Sequence, residues 1–586
     1  MAFIFLIANL MPANKHLRLA LLLMGSLLFY GYVIAYNAHP YRSFFNDALA
    51  VAGVLSAFFY LAWMAPRTQV KIQIPNAVIL PILLVAVICL QACKGSILFT
   101  ADIIYPVLYL ICVSIALIVG ATCAAYEDGL KQLGYAFAIT FVFAGLFSFF
   151  VQFFQLFNIG WPWLVAPLDH SASIRPYGNL RQPNLLALLL CFSIASVWYL
   201  YVMKKLKPAP AYVLAVLFLI GIVLTQSRMT WIVLPLFVVL NWRQPLDTPK
   251  ISKSALISLF VLFIVLTLAT PILLGLAGIQ FDSVASRASQ TSARLTLWKQ
   301  ALLISELHPW FGAGWFQFGA HQVMVADLFE STEVSDYAHN TVLNFAAEIG
   351  WPLTILISAG ALYWFFRCCV EKWSNIQVRF MTLVILSVAV HSMVEFPLWF
   401  AYFLMPVAVM IGAVHSQAMK VQALGIWRKF TAVLLVITLG LFSWIFFDYV
   451  RLANGFDALN HQNEWNTEWH EKIKKNDYSF VPQYFDYLHI VEVKIYPGMP
   501  ASDIRFIQRV ALRFAFPPIL TRLAMAYAYN QQPNEALKIL IVSRQLNLNS
   551  YPDTYSEWVD FAKNEPKYFA DIVNRLPKPD APELAE

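Results

Sequence analysis

The sequence predicts an all-α, polytopic membrane protein of about 12–13 transmembrane helices, with a large outer loop and a C-terminal soluble helical domain. Three observations carry that expectation. Of 586 residues, 60% are apolar and only 12% charged, about half the charged share of an average soluble chain. Mean hydropathy is +0.64. The charge is also uneven, because 33 of the 73 charged residues lie between Asp448 and Glu586. A water-soluble multidomain enzyme, a disordered chain and a disulfide scaffold are all poor fits. The domain reading is a membrane body over 1–447, carrying a long loop over 279–340, and a soluble helical domain over 448–586.

Apolar runs long enough to span fall near 17–36, 44–64, 76–92, 102–125, 134–157, 183–203 and 209–225. Further runs fall near 229–242, 254–278, 341–366, 380–397, 400–418 and 430–447. The pair flanking Thr225 to Arg228 is short for two full crossings. The first run follows Lys15, His16 and Arg18 and lacks a small-residue cleavage site, so it reads as an anchor.

Loop charge sets the orientation. With the N-terminus inside, one set of loops collects 17 of the 25 basic residues of the first 447 positions. The other side keeps Arg42, Lys94, Arg175, Arg181, Arg228, Arg287, Arg294 and Lys299. That places the loop 279–340 and the tail outside, which in a bacterium is the periplasm. The net charge of +7 therefore belongs to the membrane part, and no basic aromatic stripe suggests nucleic acid. The seven cysteines sit in or beside apolar runs and read as small buried hydrophobes.

Three polar clusters interrupt the apolar text on the outer side. Tyr177-Gly-Asn-Leu-Arg181-Gln182-Pro-Asn184 precedes a span, with Pro183 suited to a first helical turn. Arg181, Gln182 and Asn184 would sit at a helix start, where free N–H groups favour anions. Thr225-Gln-Ser-Arg228-Met-Thr-Trp231 sets an arginine between two apolar runs, a costly placement that usually means pairing or function. The long loop holds Arg287, then Arg294 and Trp298, spaced to share a helix face. It continues through His308-Pro-Trp-Phe-Gly312-Ala-Gly314-Trp-Phe-Gln-Phe318 to Tyr337-Ala-His339-Asn340. Gly312 and Gly314 would let backbone approach a ligand, and His339 could take a proton near neutral pH. Farther on, His391 and Glu395 stand at i, i+4. Two ligands fall short of a catalytic zinc site, so an intramembrane hydrogen-bonded pair is the preferred reading.

Together GNLRQPN, TQSRMTW, SARLTLW…HPWFGAGWFQF, YAHNTVLNFAAEIGWP and HSMVEFPLWFAYFL resemble the O-antigen ligase/polymerase superfamily, and more closely its PglL-type protein O-oligosaccharyltransferases. The resemblance is strong over roughly 170–420 and weak before it. It implies transfer of a preassembled glycan from undecaprenyl diphosphate, at the periplasmic face, to Ser or Thr of a protein such as a type IV pilin. It also implies an essential histidine at His339, beside Asn340, with arginines at Arg228 and Arg294 and a glutamine at Gln182. A tyrosine is implied at Tyr402, since Phe400 follows Trp399 where some relatives have tyrosine. Arg181, Asn184 and Arg287 join these as expected substrate contacts. No metal and no cofactor are expected. The residue types fit on their own terms: a departing diphosphate gathers charge that guanidinium forks match, and an acceptor hydroxyl needs a base.

The tail reads as amphipathic helices, with Leu520–Tyr529, a polar turn and Glu535–Leu540 resembling one tetratricopeptide-like hairpin. Such a domain suits a protein acceptor. An O-antigen ligase acting on lipid A core, or a Wzy-type polymerase, would need little beyond the membrane body. A transporter for lipid-linked sugars would instead show polar residues lining a path and two-half symmetry.

Overall fold

The computed structural model describes residues 14–68, 70–170, 174–242, 252–281, 293–460 and 479–579. Packing divides the chain into two compact units. The first comprises Met1–Leu83, Tyr109–Thr291 and Ala359–Leu439; the second comprises Leu84–Leu108, Ser292–Ser358 and Gly440–Glu586.

In chain order the membrane-type helices are α1 (Lys15–Val33), α2 (Phe44–Thr68), α3 (Ile79–Cys93), α4 (Ala101–Ala124), α5 (Gly129–Leu156) and α6 (Pro183–Val202). They continue with α7 (Pro208–Thr225), α8 (Thr230–Trp242) and α9 (Lys253–Leu276). Three short helices, α10 (Ala293–Leu307), α11 (Phe318–Val325) and α12 (Thr341–Ile349), lie between α9 and α13 (Trp351–Phe365). Then come α14 (Ile376–His391), α15 (Ala401–His415) and the long α16 (Arg428–Asn460). Ten of the described helices are long and apolar enough to cross a membrane, while α8, α14 and α15 are shorter. Each expected run contains one of these helices, so the chain is an all-α, multi-pass membrane protein.

The sequence missed two breaks. The run 341–366 is two helices, parted at Gly350, whose φ of +82° ends α12. The run 380–397 stops at His391, and a 3-10 turn at Pro397–Trp399 precedes α15. Glycine supplies the first stop, because it takes a positive φ without strain; α14 ends at His391 with Ser392 as its C-cap, ahead of Pro397.

In the first unit α6 is buried along almost its whole length, as expected for a helix apolar on every side. Helices α4 and α15 meet backbone to backbone. A Cβ on Gly120 would lie 1.8 Å from the Val409 carbonyl oxygen, and one on Gly412 would lie 2.0 Å from that of Leu117. Small residues at such crossings replace the hydrophobic drive that is missing between helices in lipid. A two-stranded antiparallel ribbon adds the one departure from all-α among the described residues. Ile72–Pro75 (β1) pairs with Val421–Leu424 (β2), Ile72 opposite Leu424. It joins two loops that the charge pattern assigns to one side.

The second unit holds α10, α11 and α12 together with the helices of the tail: α17 (Pro482–Glu492), α18 (Ala501–Arg513), α19 (Pro517–Tyr529), α20 (Pro533–Leu546), α21 (Tyr551–Asn564) and α22 (Pro566–Arg575). α19 and α20 pack against each other on either side of a short turn. Five of these six begin with proline at the first or second position, where its missing N–H costs nothing. All seven cysteines are free thiols; Cys89 and Cys93 are exposed, and Cys123, Cys191, Cys368 and Cys369 are buried.

Candidate functional site

The expected site residues divide between the two units. In the first, a 3-10 turn at Gly178–Leu180 leads to Arg181 at φ +58° and to Gln182, which caps α6. Its side-chain oxygen accepts from the Leu185 N–H at 2.8 Å, satisfying a donor that the helix itself leaves open. Its amide nitrogen takes no partner among the described residues. Asn184, in the first turn, donates to Glu395 Oε1 at 2.8 Å. Two motifs 211 positions apart are thus tied by one bond. Glu395, which the sequence pairs with His391, also donates its N–H to the His391 carbonyl at 2.9 Å.

Two buried amides hold the segment ahead of α6. Gln155 Oε1 accepts from the N–H groups of Tyr177 and Gly178, at 3.0 and 2.9 Å, and its nitrogen donates to the Ala166 and Gly178 carbonyls. Asn179 accepts from the Ala166 N–H and donates to the Val33 and Leu164 carbonyls. Arg181, half-buried, lines a cavity of about 450 Å³ with Gln155, His170, Tyr36, Asn37, Trp161 and Trp163. Burial lowers the Arg181 pKa, Tyr177 opposes the shift and Arg42 adds to it. Burial, then Arg42 and Arg181, lower that of His39. The two guanidinium groups so placed favour an anion, beside an imidazole that they hold in its neutral form.

The TQSR segment is a tight turn. α7 ends at Thr225, Gln226 turns at φ +52°, and α8 begins at Thr230. Thr225 carries the turn: its hydroxyl accepts from the Ser227 N–H, and its carbonyl accepts from Arg175 Nε and Nη2 at 3.2 and 2.9 Å. Arg228 stands exposed at its tip. Tyr402, expected to meet substrate, is instead a core residue, 1% exposed. Its ring packs between Tyr32, Phe400 and Phe403, and its carbonyl accepts from the Tyr32 hydroxyl.

In the second unit, His339 sits half-buried just before α12, at φ +52°. Few non-glycine residues adopt that conformation without support. The support is a pair of asparagines. Asn340 caps α12, accepting from the Val342 and Leu343 N–H groups at 3.1 Å each. Asn344, one turn on, accepts from the Ala338 N–H at 3.0 Å. His339 is therefore pinned on both sides. Arg294 is half-buried in the first turn of α10; Arg287 lies outside the described residues.

The glycine loop packs against the end of α12. Ala313 and Gly314 N–H groups cap the Ala347 and Glu348 carbonyls at 2.8 and 3.1 Å. A Cβ on Gly312 would stand 2.1 Å from the Glu348 carbonyl carbon. Gln91 completes the joint, donating to the Phe311 and Glu348 carbonyls and accepting from the Trp315 N–H.

Glu348 itself is fully buried, on α12 before the break at Gly350. Burial pushes its carboxyl up to about 8, against the pull of the Phe316 and Phe318 N–H groups and the Asn344 side chain. Because the folded value exceeds the unfolded one, folding takes up a proton. The stability this group contributes is whole below about pH 4.5 and lost as pH rises through about 8. Glu348→Gln cannot ionise, so its thermal stability should fall less between pH 5 and 8, by a margin of about a few kcal/mol. An unchanged slope in a pH series of melting curves would refute the buried neutral acid.

Sequence reasoning missed Gln155, Asn179 and the Asn344–Glu348 pair. Polar residues at i, i+3 or i, i+4 within apolar helices, such as Gln152 and Gln155, were the available signal. Among the described residues, no three His, Cys, Asp or Glu side chains gather where they could share a metal ion.

Comparison with known proteins bears on this arrangement. A family model described as O-antigen ligase matches residues 213–358, one described as protein glycosylation ligase matches 176–201, and one described as virulence factor membrane-bound polymerase, C-terminal, matches 380–565. The chain is 23% identical to a general O-oligosaccharyltransferase of Acinetobacter baylyi over 552 residues, covering 91% of this chain and 93% of that protein. It is 24% identical to a ComP-specific O-oligosaccharyltransferase of the same organism over 405 residues, covering 66% and 70%. The RQPN turn falls within the protein glycosylation ligase match, and the TQSR turn, the loop and the pinned histidine fall within the O-antigen ligase match, so the chain is similar to both where its expected site residues lie.

Proposed function

We propose that the protein transfers a preassembled oligosaccharide from undecaprenyl diphosphate to Ser or Thr hydroxyls of proteins, pilin-like ones first, at the periplasmic face of a bacterial inner membrane. The observation that carries this reading is His339, a non-glycine residue held left-handed by its two asparagine neighbours at a loop-to-helix junction. Strain of that kind persists where surrounding structure over-determines it, and it clusters at functional sites. The charge asymmetry of the loops supports the orientation. Full-length likeness to O-oligosaccharyltransferases supports a protein acceptor.

In this reading His339 takes the proton of the acceptor hydroxyl, whose oxygen attacks the anomeric carbon. The bond from that carbon to the diphosphate oxygen breaks, and undecaprenyl diphosphate departs with the electron pair. Arg228 and Arg294 oppose the charge it gathers, while Arg181, Arg287, Gln182, Asn184 and Asn340 serve binding and positioning. One displacement inverts the anomeric centre and leaves no covalent enzyme intermediate. It needs no metal, since guanidinium supplies the fixed charge. Residues 448–586 form the soluble helical domain, to which we assign docking of the acceptor; 1–447, with the loop 279–340, form the membrane body.

Purified protein, lipid-linked oligosaccharide and candidate acceptors provide the test, with products read by mass. Glycan on protein Ser or Thr is the expected result, undiminished by EDTA. Delivery to lipid A core alone would favour the ligase reading, which the match over 213–358 also describes. Extension of one lipid-linked glycan by another would favour a polymerase. Loss in EDTA restored by a divalent ion would overturn the metal-free step.

A further inference from the structure

One buried cation in the second unit touches three segments at once. Arg513, the last residue of α18, has a side chain only 4% exposed. Its Nη1 donates to Asp336 Oδ1 at 2.6 Å, three positions before His339. Its Nε lies 3.6 Å from Asp102 Oδ1, at the start of α4, where Gln483 also reaches that carboxylate. Its guanidinium covers the Phe316 ring with 4.5 Å to the centroid, and Phe316 in turn packs on Tyr337 at 5.7 Å. Phe316 is itself left-handed, at φ +61°.

A surface arginine with an acidic neighbour would carry no argument. This one is desolvated, faces two carboxylates, and stacks on an aromatic ring beside the histidine segment. Burying the guanidinium together with the Asp102 carboxylate is costly, and the arrangement holds only while each keeps its partner. The planar fork fixes directions as well as distances, which an ammonium group would not do. The Asp336 end of the clamp reaches the chain just before Tyr337, on the side of His339 opposite the Asn340 cap.

We propose that Arg513 is a positioning residue for glycan transfer: from the C-terminal helices it clamps Asp336 and Phe316 and so fixes the segment that presents His339. The proposal rests on His339 acting as the base, and it gives the tail a part in catalysis beyond any docking of acceptor.

A double-mutant cycle on the full chain in detergent tests it, using Arg513→Met, Asp336→Asn and the pair. Each single change should lower kcat by about 10- to 100-fold, as small misplacements of a reacting group do, with acceptor KM within about twofold. The pair should be no worse than either single, and Arg513→Lys should recover part of the loss. A second readout does not depend on turnover: the rate at which diethyl pyrocarbonate modifies His339, resolved by mass spectrometry. That rate should change alike in both singles and in the pair. Wild-type kcat in both singles, additive losses, or an unaltered His339 labelling rate would each overturn the clamp. If the wild-type protein transfers no glycan, the functional reading fails, and the labelling cycle still decides the clamp. Should Arg513→Met not fold, Asp336→Asn carries the test, because that side chain is 38% exposed.

Discussion

His339→Asn should reduce glycan transfer by about 100- to 10,000-fold, the range expected when a general base is removed, with the fold intact. Asparagine is the informative replacement because it tolerates the left-handed backbone that His339 adopts at φ +52°. Alanine would keep the backbone strain without asparagine's tolerance for it and blur the conformational and chemical losses. Glycine makes the complementary variant, relaxing the backbone while removing the imidazole, so His339→Gly should melt higher than wild type and be equally inactive. Initial rates with purified protein, read beside melting curves, separate the contributions. Transfer by His339→Asn at more than a tenth of the wild-type rate would remove the histidine from the role of base.

The largest stability loss should come from Gly312→Ala. The added Cβ would stand 2.1 Å from the Glu348 carbonyl carbon, and the residue holds φ +70°. Either the loop leaves the end of α12, exposing the Ala347 and Glu348 carbonyls, or α12 shifts and takes its first-turn cap with it. We expect about 3 kcal/mol or more. Gly498 offers the control, since its φ is +80° yet nothing lies within 4 Å of the new carbon. Gly498→Ala should then cost only the conformational penalty, about 1–2 kcal/mol. Equal melting temperatures for the two variants would mean that close approach contributes nothing.

Much of the architecture was legible because lipid imposes a simple rule on a chain: cross as a long apolar helix or stay out. The thirteen membrane-type helices described each coincide with an apolar run of the sequence, ten of them long enough to cross. What composition could not announce was partnership. Gly312 said that backbone comes close to something, but glycine carries no mark of whether that is a ligand or a helix end. Tyr402 lies in an apolar run, and no period separates a face that meets substrate from one packed on Tyr32. Asn184 and Glu395 each looked like local polar residues, because a partner 211 positions away leaves no trace in one sequence. Arg513 was lost for the opposite reason. It stands among the 33 charges of the tail, where solvated side chains are the rule, and only packing shows it desolvated between two carboxylates.

The polar segments share one further trait: each bears a bulky residue where the chain turns left-handed. Arg181, Gln226, Phe316 and His339 have φ between +52° and +61°. At each position glycine would suit the backbone better, by about 1 kcal/mol. Selection for heat tolerance alone should therefore bring glycine to these four positions. On the function proposed above, a selection that also demands glycoprotein should hold Arg181 and His339 in place.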